Sequence, residues 1–123
     1  VAIIACGPLT HEALLAAQKL EAQGKSVYVV NCQSIKPLDE KLIAEVAKKS
    51  GAIVTVEEHQ ITGGLGGAVA ELLARTCPVP MEFIGVQNHF GQSGTPRELL
   101  EYFRLTAPWI EKAALRAIKR KLS

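Results

Sequence analysis

Short apolar runs alternate along this chain with segments whose apolar residues recur at helical spacing. Val1–Ala5 is continuously apolar and partly β-branched, and Cys6-Gly7-Pro8 closes it. Such a run predicts a strand buried on both faces. Thr10 stands where it can cap a helix over His11–Gln23, with Leu14, Leu15, Ala17 and Leu20 at helical spacing and Gly24 as the stop. Ser26–Asn31 reads as a second strand. Pro37-Leu38-Asp39 then breaks the chain, and Asp39 is suited to cap Glu40–Lys49, which carries Leu42, Ile43, Val46 and Ala47 on one face. Ser50-Gly51 ends that helix. Ala52–Val56 is a third buried strand, and a glycine-rich loop leads from it into a helix at roughly Gly66–Arg75. Pro78 and Pro80 bracket a turn into a fourth strand, Met81–Ile84. The last third is helical: Thr95-Pro96-Arg97-Glu98 is a strong helix start, and Thr106 and Pro108 open a final amphipathic helix through Lys121. Its apolar face is Ile110, Ala113, Ala114, Ala117 and Ile118.

Strands and helices that alternate in this way predict parallel strands joined by right-handed crossovers. The expected fold class is α/β, a three-layer α/β/α sandwich on a mostly parallel sheet with four strands visible. At 123 residues the chain is long enough for one domain with a real core. Its 14 basic and 12 acidic residues leave a net charge of +2, which gives no footprint for nucleic acid or a membrane surface. The cluster Lys119, Arg120, Lys121 reads as cations offsetting the dipole at the end of the last helix. Cys6, Cys32 and Cys77 are widely spaced and form no CxxC pair, so they read as buried thiols in a reducing compartment. No apolar run approaches the roughly 20 residues that span a bilayer, and no signal-peptide pattern is present. A cytoplasmic location is the expectation. A strand that begins at the first residue, with no methionine, reads as one piece of a longer protein or as a chain whose leading residues are not shown.

The richest candidate chemistry lies in Thr55–Ala70, TVEEHQITGGLGGAVA, at the carboxyl end of the third strand. In open α/β sheets this is the edge where ligands are met. Gly63, Gly64, Gly66 and Gly67 invite a phosphate reading, because the following helix offers backbone N–H groups. The dinucleotide fingerprint fails, since its third glycine position is Val69, and no Walker pattern follows. A tight turn with close approach of another backbone is the alternative. Glu57, Glu58 and His59 could form an acid–base set. Neighbours on a strand face opposite sides, which opposes convergence on one atom and favours a polar rim or subunit contact. His89 sits in the polar loop Gln87–Gly94, and His11, His59 and His89 share no metal-ligand spacing. Ser34, Ser50 and Ser93 lack a nucleophile elbow.

Four ordered segments together carry a family resemblance. They are Gly7 after the first strand; Ser34-Ile35-Lys36-Pro37-Leu38-Asp39; Val54-Thr55-Val56-Glu57-Glu58-His59 with Gly63-Gly64-Leu65-Gly66; and Ser93-Gly94-Thr95-Pro96-Arg97-Glu98-Leu99-Leu100. Over nearly its whole length the chain resembles the C-terminal domain of transketolase and its thiamine-diphosphate-dependent relatives. The proline and glycine segments are shared with deoxyxylulose-phosphate synthase and the beta subunits of 2-oxo acid dehydrogenases. The resemblance implies a sheet ordered Ser26–Asn31, Val1–Ala5, Ala52–Val56, Met81–Ile84. It also implies a leading antiparallel edge strand, absent before Val1. The implied activity of the assembled enzyme is transfer of two-carbon ketol units between sugar phosphates.

Thiamine diphosphate and Mg²⁺ are implied to sit between pyrophosphate-binding and pyrimidine-binding domains across a homodimer interface. This chain is then expected to bind no cofactor or metal, and to provide no catalytic residue. Its implied role is to pack on the pyrimidine-binding domain and extend the dimer contact. The rim formed by Gly7, Glu57, Glu58, His59, Gly63, Gly64, Gly66 and Gly67 is the expected interface or regulatory-ligand surface. Two alternatives stay open: an independent anion-binding domain using the Gly63–Gly67 loop, and the matching domain of a 2-oxo acid dehydrogenase beta subunit.

Overall fold

A computed structural model describes residues 1–32, 39–60, 64–86, 98, 101 and 104–122, without the side chains of Pro8, Glu58, His59, Gln60, Val86 and Leu122. Strand β1 (Ala2–Ala5) passes through a 3-10 turn at Gly7–Leu9 into helix α1 (Thr10–Ala22). Strand β2 (Tyr28–Asn31), helix α2 (Glu40–Ser50) and strand β3 (Ile53–Gln60) follow. Helix α3 (Leu65–Thr76), strand β4 (Met81–Val86) and a long helix α4 (Ala107–Leu122) complete the order. The four strands pair in the order β2-β1-β3-β4, and every pairing is parallel. Both the three-layer architecture and the strand order expected above are present.

Parity along the strands explains the layers. Val1, Ile3, Ala5, Val54 and Val56 point to one side, where Leu9, Ala13, Ala16 and Leu20 join Ile110, Ala113, Ala114 and Ala117 of α4. Ala2, Ile4 and Ile53 point to the other, against Ile43, Val46 and Ala47 of α2 and Leu65, Val69, Leu72 and Leu73 of α3. Central strands covered on both faces read as unbroken apolar runs, as β1 does. Alanine dominates α1 and α4 where they meet the sheet and each other, because small side chains let the helices approach closely.

Several local expectations are corrected. Thr10 is the first residue of α1 rather than its cap, and its hydroxyl instead donates to Asn31 Oδ1 at 3.2 Å. Leu14 is 48% exposed, since the buried stripe of α1 runs through Glu12, Ala13, Ala16, Ala17 and Leu20. Leu42 likewise lies outside the buried stripe of α2, at 40% exposure. Of the three cysteines only Cys32 is buried; Cys6 and Cys77 are half-buried. The Thr95–Glu98 helix start lies outside the described residues, apart from Glu98, which is helical.

Helix ends are fixed by partners of different kinds. Asp39 caps α2 as expected, its carboxylate accepting from Leu42 N–H at 3.1 Å. Gly51 ends the same helix in the left-handed region, with φ of 74° and its N–H on Ala47 O. Thr106 does not cap α4 with its hydroxyl, which is buried with no hydrogen-bond partner among the described residues. Its carbonyl accepts from Trp109 and Ile110, and Ala107 N–H donates 3.0 Å to Glu12 of α1. The basic end of α4 is bound to named groups rather than left to the dipole. Arg120 donates to Met81 O and Glu82, each at 2.7 Å, and Lys121 donates to Ser50 O at 2.9 Å.

Candidate functional site at the carboxyl edge of the sheet

Strand β3 runs four residues past its apolar stretch, through Glu57 to Gln60, with a register irregularity against β4 between Val56 and Gln60. Alternation places Ile53, Thr55 and Glu57 on the α3 side of the sheet. Glu57 is only 1% exposed. Its two oxygens accept from Leu65 N–H and Gly66 N–H, both at 2.7 Å. Those are the first two amides of α3, whose own N-cap, Gly64, has no side chain to offer. A buried acceptor with anionic character at a helix N-terminus gains from short charge-assisted bonds and from the helix dipole.

Gly66 makes this arrangement possible. A Cβ there would lie 2.7 Å from Phe83 Cδ1, 3.0 Å from Thr55 Oγ1 and 3.3 Å from Glu57 Oε2. Side chains of β3 and β4 therefore press directly on the first turn of α3. The glycine loop was expected to admit another backbone; at Gly66 the close approach is instead made by side chains of this same chain. Thr55 Oγ1, in the same contact, is buried without a hydrogen-bond partner among the described residues. Gly64 closes the turn by accepting from Ala68 N–H at 3.1 Å.

The expected rim is thus split. Glu57 and Gly66 meet in the interior, which corrects the reading of Glu57 as a residue on an open polar edge. Gly64 is buried and Gly67 half-buried on α3, while Gly7 is exposed beyond β1 with φ of 64°, a turn conformation that favours glycine. Glu58 and His59 belong to β3 by their backbone. Gly63, and the loop holding His89, lie outside the described residues. The parity of Glu57, two residues past Thr55 on an inward-facing row, was the signal that would have marked it as buried.

Chemically, the site is an internal cap. The Leu65 and Gly66 amides, which a phosphate would need, are already bonded to a carboxylate, and an added anion would stand beside that carboxylate. Among the described residues no group of three or more His, Cys, Asp or Glu could hold a metal ion. These residues do not fit a metal-bound diphosphate. No helix among the described residues is long and apolar enough to cross a membrane.

The sequence profile of the family described as "Transketolase, C-terminal domain" matches residues 1–110. The chain belongs to this family. It is 45% identical over 121 residues to the 6-deoxy-6-sulfo-D-fructose transketolase subunit SqwH of Clostridium sp. (strain MSTE9), covering 98% of this chain and 38% of that protein. A putative transketolase C-terminal section from Methanocaldococcus jannaschii is 41% identical over 120 residues, covering 97% of this chain and 37% of the relative. Among solved structures, a split-gene transketolase described as an inactive beta4 tetramer superposes with a TM-score of 0.93 at 46% identity. That match covers 98% of this chain and 39% of the solved one. This transketolase C-terminal domain therefore spans a little over a third of the length of these relatives. The deoxyxylulose-phosphate synthase of Heliobacterium modesticaldum is also similar, 41% identical over 117 residues, or 93% of this chain and 18% of that enzyme.

Proposed function

We propose that this chain is a non-catalytic scaffold within a transketolase-type enzyme assembled from separate polypeptides. Its role is to support the pyrimidine-binding domain and extend the contact of a homodimer. The observation that carries this reading is the commitment of Glu57. This buried acid at the carboxyl end of β3 has both oxygens occupied by α3, so it is spent on architecture. Relatives named as subunits or sections of transketolases support the split arrangement, as does the description of the solved neighbour as inactive. In the assembled, cytoplasmic enzyme, thiamine diphosphate and Mg²⁺ are held by the pyrimidine-binding and pyrophosphate-binding domains. There they supply the chemistry for moving a two-carbon ketol unit between sugar phosphates.

The test is reconstitution. The purified chain with thiamine diphosphate and Mg²⁺ is expected to transfer no ketol unit. Activity is expected once polypeptides carrying the two cofactor-binding domains are added. Turnover by the chain alone would overturn the proposal. A second reading has its own support, since deoxyxylulose-phosphate synthases match the same domain at similar identity. Offering pyruvate in parallel with a ketose phosphate donor decides between the two reactions.

A further inference from the structure

Two cysteines that are far apart in sequence fall at adjoining register positions at the end of the sheet. The β1–β2 ladder pairs Ala5 with Asn31, so the next step pairs Cys6 with Cys32. That step is made: Cys32 N–H donates to Ala5 O at 2.8 Å. On its other side, Cys6 N–H donates to Val56 O at 3.1 Å, and Cys6 keeps extended backbone angles, φ −117° and ψ 127°. In-register neighbours of a parallel pair point to the same face, and both cysteines pack with the α2–α3 side of the core. Neighbouring strands stand about 4.8 Å apart. That falls within the roughly 4.4–6.8 Å between Cα atoms that a disulfide bridges.

From this juxtaposition we propose that Cys6 and Cys32 form a thiol-oxidation site that closes to an intramolecular disulfide. The class of oxidant is a hydroperoxide. Cys6 is the half-buried, reachable member and Cys32 the buried one, which assigns their order. The Cys6 thiol gives up its proton and its sulfur attacks a peroxide oxygen; the O–O bond breaks, an S–O bond forms, and the departing oxygen takes up that proton, leaving as water when the hydroperoxide is hydrogen peroxide. The Cys32 sulfur then attacks the sulfenic acid at Cys6. The S–S bond forms, the S–O bond breaks, and hydroxide leaves with the Cys32 proton as a second water. Two thiols and one peroxide thus become one disulfide and two waters.

Cys77 provides an internal control. It follows α3, a helix of 12 residues that runs back from the carboxyl edge, so it sits at the opposite end of the sheet. The experiment treats the full chain with hydrogen peroxide, alkylates remaining thiols, and maps tryptic peptides without reduction. Cleavage at Lys19 and Lys25 separates the two cysteines. The expected result is a linked Cys6–Cys32 species, with intact mass lower by two hydrogens, Cys77 still alkylated, and full reversal by dithiothreitol. Phenylarsine oxide, which needs two adjacent thiols, is expected to remove two of the three maleimide-reactive groups, Cys77 being the one left. The link should survive Cys77→Ser and vanish in Cys6→Ser. Conversion of Cys6 to sulfinic acid while Cys32 stays a thiol would overturn the proposal. So would a bridge that uses Cys77. Both readouts are made on the unmodified sequence, so they do not depend on the serine variants folding.

Discussion

The N-termini of α2 and α3 solve one problem in opposite ways. At α2 the cap is Asp39, the residue immediately before the helix, exposed and bonded to an amide three positions on. At α3 the cap is Glu57, eight residues before Leu65, on a different element and buried. The first device acts locally and water can replace it. The second exists only when strand, loop and helix are all in place, and water cannot reach it. An exposed local cap tunes the stability of one helix, whereas a buried distant cap welds a helix to the sheet.

The largest effect should therefore come from Glu57→Ala. It leaves two buried N–H groups without an acceptor, at about 1–3 kcal/mol each, so a loss of roughly 2–6 kcal/mol is expected in denaturant unfolding. A loss near that of Asp39→Ala would break the comparison. Next comes Gly66→Ala, where the added methyl meets Phe83 and Thr55. Overpacking of about 1–3 kcal/mol outweighs the roughly 1 kcal/mol by which alanine favours helix. If Phe83 swings outward and the variant is neutral, the tight seating of α3 is not a requirement.

Asp39→Ala should cost about 1 kcal/mol, with Asp39→Asn largely rescuing it. The smallest change belongs to Glu45→Gln on the exposed face of α2. Its hydrogen bond and charge attraction with Lys49 hold the Glu45 carboxyl below its usual 4.5. A depressed pKa contributes stability above the unfolded value and loses it as pH falls through the folded one. The difference between wild type and Glu45→Gln should be constant from pH 7 down to about 4.5, shrink below that, and stay near the detection limit throughout.

The contrast also explains what could be read from the chain in advance. Asp39, Gly51 and the apolar face of α4 follow from neighbours within one helical turn, and all were legible. The strand order came from the family resemblance rather than from periodicity. Glu57 was visible as a residue but not as a cap, because its partners are backbone amides whose position depends on how α3 seats against Phe83. Glu12 was hidden for the same reason: its partner, Ala107 N–H, is 95 positions away. Leu14 misled in the other direction, since small alanines, not the larger leucine, form the contact with α4 and the sheet.

That bond between Glu12 and Ala107 has a consequence for biogenesis. Helix α4 follows the other described elements in the sequence, yet it covers Val1, Ile3, Ala5, Val54 and Val56, and its tail reaches Met81 and Ser50. While the chain is still being synthesised, the sheet can assemble and α1 can settle, but a greasy furrow stays open beside α1 until residues beyond 107 leave the ribosome. Nascent chains halted before that point would be the form that chaperones and proteases recognise.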